Sequence, residues 1–162
     1  MQEVILRLRF NQPCLGNIRR SGGRNDMVKD SSGRPMLLPT WWQSIAAYAA
    51  RLVNCRQDKI REVNWDPVVE GHIKEFRRYF EPGRYTVHEA FLAGDVIQVH
   101  AVLPDGLSVA EFAEIMKTAG RYIGMCPYKP EKHLGTFEIL DVRPAGHPRV
   151  TPAVLETPLP DG

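Results

Sequence analysis

The chain has 162 residues, 43% hydrophobic and 25% charged, proportions that exclude wholesale disorder and fit one domain with a real core. Twenty-one Lys+Arg against nineteen Asp+Glu leave a net charge of +2, which by itself announces no polyanionic partner. No apolar run reaches the roughly 18 residues of a membrane span, and the opening MQEVILRLRF alternates charge with apolar residues instead of building a signal peptide, so a cytoplasmic protein is expected.

Residues 3–10 alternate with period two: Val4, Leu6, Leu8 and Phe10 share one face, and Arg7 and Arg9 lie on the other, so a strand with a polar, basic second face is predicted. Residues 17–34 show no apolar periodicity and read as a mobile basic loop. Thr40 and Gln43 have capping-box spacing and predict a helix start. Trp41, Ile45, Tyr48 and Leu52 then recur at helical spacing as the core stripe, with Trp42 turned outward and Asn54 ending the helix. Residues 55–85 admit two readings. Asp66-Pro67 resembles an N-cap followed by a first-turn proline, with Val69, Ile73, Phe76 and Phe80 behind it; the alternative is an extended arm.

Tyr85–Leu92 and Val96–Leu103 predict a β-hairpin about the turn Ala93-Gly94-Asp95. Ser108 and Glu111 form a second capping box, followed by a stripe of Val109, Phe112, Met116, Ala119 and Ile123. Glycines bound a loop over 124–135, residues 136–142 alternate as a last strand, and the proline-rich remainder, 144–162, is expected to be an extended tail. The order strand, helix, strand, strand, helix, strand predicts an α+β chain of ferredoxin-like, split βαβ (RRM-like) architecture over residues 1–143. Its antiparallel sheet would rest on two helices and leave one face open.

The segment Ala119-Gly120-Arg121-Tyr122-Ile123-Gly124, a connecting loop, and Leu134-Gly135-Thr136-Phe137 resemble the glycine-rich loop of the RAMP (repeat-associated mysterious protein) superfamily of CRISPR-associated RNA-binding proteins. There a helix ending in glycine leads to a strand opening Gly-Arg-Phe. Arg34-Pro35-Met36-Leu37-Leu38-Pro39-Thr40-Trp41-Trp42 is similar to the "Ile-Pro-Gly-Ser-Ser" helix opening of that superfamily. This sequence departs from the pattern at Leu134, Thr136 and Thr40, which stand in place of a glycine, a basic residue and a glycine. The resemblance implies an RNA-binding ferredoxin-like domain able to assemble side by side along a strand. Its size is similar to that of small stand-alone phage-encoded proteins.

Single-strand binding needs cations for phosphates and aromatic rings for bases. The candidates are Arg7 and Arg9 on the sheet, with Gln98, His100 and Tyr85 nearby. Arg19, Arg20, Arg24, Lys29 and Arg34 lie in the basic loop, and Lys129 and Lys132 in the second loop, with Tyr122 and Tyr128 as stacking rings. Residues 1–34 carry seven Lys+Arg against three Asp+Glu, so the near-neutral total hides an uneven distribution. His133 and His100 are the candidate general bases for an alternative reading, a metal-independent RAMP-type endoribonuclease. A third reading is a phage-type factor that docks on a host protein complex through Trp42, the tail or a sheet edge. Cys14, Cys55 and Cys126 have no CxxC spacing, and no metal-ligand or nucleotide-binding motif occurs, so neither metal nor cofactor is expected.

Overall fold

Strand β1 (Gln2–Phe10) lies inside a four-stranded antiparallel sheet, between β8 (Val96–Leu103) and β9 (Phe137–Pro144); β5 (Asn64–Trp65) sits beyond β8. The computed structural model describes residues 1–54, 57–125 and 135–145. The helices α1 (Pro39–Leu52) and α3 (Val109–Tyr122) pack against one another, and a short helix α2 (Gln57–Ile60) follows the first. Taken as β1, α1, β5, β8, α3 and β9, with sheet order β5-β8-β1-β9, these elements form the expected α+β, ferredoxin-like arrangement, with β5 in the place that the pattern gave to residues 85–92.

The core gathers where period-two strand faces meet helical stripes. Leu6, Leu8, Ile97 and Val99 from the sheet meet Trp42, Ala46, Ala49 and Ala50 of α1 and Phe112, Ile115 and Met116 of α3. Trp42 stacks on Trp65 with ring centroids 4.9 Å apart and meets Phe137 edge-on at 6.1 Å. Helix α3 starts on the predicted capping box, Ser108 accepting from the Glu111 backbone and Glu111 accepting from that of Ser108. It ends pressed onto β9: a Cβ on Gly120 would lie 2.3 Å from the Phe137 carbonyl oxygen, so only glycine permits this approach. No helix among the described residues is long and apolar enough to cross a membrane.

Four expectations change. The N-cap of helix α1 lies two residues earlier than predicted, at Leu38 with Pro39 in the first turn and no side-chain cap, so the Thr40–Gln43 box does not form. The buried stripe is accordingly Trp42, Ile45, Ala46, Ala49 and Ala50; Trp41 is half-buried, and Tyr48 and Leu52 are exposed. Asn54, with φ 58°, does close the helix. Of the two readings of the segment before Tyr85, the extended one holds over 64–81: the Asp66 carboxylate accepts from Val68 N in a local turn, and Met36 bridges to Val68. Residues 85–91 and 96–103 are both strands, but they do not pair with one another. Residues 17–34, read as a loop, contain a β-hairpin.

That hairpin belongs to a second sheet. It contains β2 (Cys14–Leu15), β3 (Ile18–Arg20), β4 (Arg24–Asp26), β6 (Lys74–Glu81) and β7 (Arg84–Phe91). β7 is its hub, antiparallel to β6 and β2 and parallel to β4. Thus two insertions into the ferredoxin-like unit, one after β1 and one after β5, meet to build a sheet of their own. The β3–β4 turn passes through Gly22 and Gly23 at φ 76° and 74°, a left-handed path that glycine takes without strain.

Candidate functional site

Pairing register decides which side chains of the second sheet share a face. Arg20 stands opposite Arg24, Arg24 beside Val87, and Val87 opposite Arg77. One line across four strands therefore presents three guanidiniums. One step toward the free end of the β6–β7 hairpin, Tyr79 stands opposite Tyr85. Their rings are 5.3 Å apart, and they are 62% and 43% exposed. The Arg77 guanidinium lies over the Tyr85 ring at 4.8 Å. Its pKa is raised, first by a hydrogen bond to Tyr79. One step the other way stands a line of carboxylates, Asp26, Glu89 and Glu75. The outer face of this sheet is thus banded: aromatic, cationic, anionic.

The bands touch. Arg20 Nε is 3.0 Å from Asp26 Oδ2, Arg24 Nη2 is 3.2 Å from Glu75 Oε2, and Lys29, beyond the acidic line, is 2.8 Å from Glu89 Oε1. The opposite face of the hairpin end carries Phe80, exposed, with the Arg78 guanidinium 5.2 Å from its ring.

The buried face of the same sheet fixes it to the body. His88 is fully enclosed, with Nδ1 2.8 Å from the Gly16 carbonyl and Nε2 2.9 Å from Thr86 Oγ1. Gly16 O accepts, which places the proton on Nδ1 and leaves Nε2 to accept from the hydroxyl. Burial, reinforced by the Arg78 charge, lowers the His88 pKa from its ordinary 6.5, against the pull of the Gly16 bond. The unfolded chain therefore binds a proton that the folded chain resists. Stability from this group is complete above pH 6.5 and is lost as pH falls below it toward the depressed value. The denaturation midpoint is expected to drop between pH 6.5 and 5, and His88→Gln should flatten that segment of the profile; an unchanged slope would show that other groups carry it.

The predicted site residues fall in several places. Arg20 and Arg24 lie in the cationic line. Arg19 pairs with Asn25 on the opposite face, exposed and without an acidic partner among the described residues. Arg34 is held by Asp30 at 2.8 Å. On the first sheet Arg7 is buried, with Nε and Nη2 3.0 and 2.9 Å from Asp141 Oδ2, so the expected open basic face is not built from it. Arg9 is 3.1 Å from Glu138. Gln98 is buried, and His100 Nε2 is 3.3 Å from Glu70 Oε2 beside an open groove of about 350 Å³ bordered by Glu3, Asn64 and Asp66. Tyr122 is exposed at the end of α3, 5.3 Å from the Arg121 guanidinium. Tyr128, Lys129, Lys132, His133 and residues 146–162 lie outside the described residues. Among the described residues no three His, Cys, Asp or Glu side chains converge in a metal-ligand set.

Sequence reasoning missed Arg77, Tyr79 and the acidic line. The signal was present in Glu75-Phe-Arg-Arg-Tyr-Phe-Glu-Pro-Gly-Arg-Tyr85, where basic and aromatic residues alternate around a Pro-Gly turn.

No family model matches the sequence, and no curated protein does. Solved structures do. A chain of the cryo-EM structure of the Type III-B Cmr-beta bound to cognate target RNA is similar at a TM-score of 0.59 and 11% identity; the match covers 88% of this chain and 60% of that one. At that identity the likeness concerns the fold, and this chain spans under two thirds of the length of its solved neighbour.

Proposed function

We propose that the protein is a non-enzymatic single-stranded nucleic-acid-binding protein that holds its strand on the outer face of the second sheet. RNA is the first ligand to test, because the solved neighbour belongs to a structure bound to target RNA. The observation that carries this reading is the adjacency of Arg20, Arg24 and Arg77 with Tyr79 and Tyr85 on one exposed face. Guanidiniums grip phosphate oxygens two at a time. Exposed rings one step away give unpaired bases a surface on which to stack. Assembly of copies side by side along the strand is part of the same proposal.

Stacking is tested by Tyr79→Ala and Tyr85→Ala against a short single-stranded RNA, with binding followed by fluorescence anisotropy. Each substitution is expected to weaken binding about tenfold, the lower range of a lost base–ring stack. Tyr48→Ala, which removes an exposed ring from α1, is expected to leave affinity unchanged. Equal affinity for all three variants and the unaltered protein would remove the aromatic line from the site.

A further inference from the structure

The acidic line is the unexpected part of a face that otherwise suits a polyanion. Asp26, Glu89 and Glu75 run parallel to the guanidiniums, one same-face step along the strands, a spacing of about 7 Å. Each carboxylate contacts a cation: Asp26 holds Arg20, Glu75 holds Arg24, and Glu89 holds Lys29. Glu89 also accepts from Met27 N at 2.9 Å, so it tethers the chain after β4. Glu75 is exposed, and Arg24 is its one ion-pair partner among the described residues.

We infer that Asp26 and Glu75 are specificity-determining residues that make the cationic line a lane for one phosphate backbone and turn duplexes away. This rests on the reading of the face as strand-binding. With carboxylates on one side and tyrosines on the other, a single strand has one favourable pose: phosphates along Arg20, Arg24 and Arg77, bases turned toward Tyr79 and Tyr85. A duplex presents a second backbone across a groove; the narrower one is about 6 Å wide in B-DNA, comparable to the spacing of the lines, and in A-form RNA it is the deep, narrow major groove. With one backbone on the cations and the groove facing the sheet, a second backbone falling on the acidic side meets like charge at short range, where screening is incomplete. Turned the other way, the second backbone covers the tyrosines, and its paired bases cannot open to stack on them.

The test is the ratio of affinities for one RNA sequence offered as a single strand and as a duplex, measured at two salt concentrations for the full chain, Glu75→Gln and Asp26→Asn. Both substitutions remove charge and keep shape. Each is expected to raise duplex affinity about threefold more than single-strand affinity, so that the preference for single strands narrows. An unchanged ratio in both variants would overturn the inference. So would weaker single-strand binding by both, which would mean that the carboxylates only hold the arginines in place. Should the unaltered protein bind neither ligand, the binding reading itself fails and this one goes with it. Binding by the unaltered protein with an unmoved ratio separates the two failures.

Discussion

Alanine at Arg20, Arg24 and Arg77 together is expected to weaken single-strand binding on the order of 100-fold at low salt and to flatten the dependence of log K on log salt by about 2. The size follows from geometry. The three guanidiniums come from three strands of one sheet and stand in one line, so they meet one stretch of backbone together. Each phosphate neutralised on a single strand contributes about 0.7 to the salt slope, and three are removed. Arg9→Ala and Arg34→Ala provide the comparison, because those cations lie off the line and hold Glu138 and Asp30. They should shift affinity about twofold or less. The lost ion pairs of the triple variant are exposed, so thermal stability should hardly change. A titration at two salt concentrations decides the matter: a triple variant that binds with the original slope would show that the phosphates lie elsewhere.

Trp42→Ala is expected to cost about 3–5 kcal/mol of folding stability. Its ring is wholly enclosed, stacked on Trp65 and set edge-on against Phe137, so it joins α1 to both β5 and β9. Alanine leaves a void between three elements that cannot close over it without moving the sheet. Trp42→Phe should cost much less, because the indole Nε1 has no hydrogen-bond partner among the described residues and no polar contact is broken. Chemical denaturation of both variants measures the difference. A loss below about 1 kcal/mol for the alanine variant would contradict the packing described.

Trp42 also shows where the sequence was hard to read. Two stripes at helical spacing run down α1. One, through Trp41, Ile45, Tyr48 and Leu52, is made of large residues; the other, through Trp42, Ala46, Ala49 and Ala50, is mostly alanine, and of the first only Ile45 joins it in the core. Large apolar residues draw the eye, yet in α1 the buried face is made mostly of small ones. The two long helices, the capping box at Ser108 and the alternation of β1, β8 and β9 were legible, because each is written in a few neighbouring residues. The partners of β7 were not. A strand, a tight turn and another strand look like a hairpin locally, and only the preceding strand β6 and the distant competitors β1 and β4 decide otherwise. The proposed binding face was hidden for the same reason. Arg20, Arg24 and Arg77 are neighbours across strands, and a line perpendicular to the chain has no signature along it.

The parallel pairing of β4 with β7 carries a kinetic consequence. It joins residues about sixty positions apart, around a loop that contains α1, α2, β5 and β6. Such a contact is slow to form, because the entropy of closing the loop must be overcome before any pairing rewards it. When β1, α1 and β5 have condensed, that loop is already shortened, and β4 and β7 are brought within reach. The proposed strand binding should therefore appear late as the chain refolds. A partly opened molecule then carries Arg20 and Arg24 on one hairpin and Arg77 on another, so the proposed cationic line is incomplete until the two hairpins join.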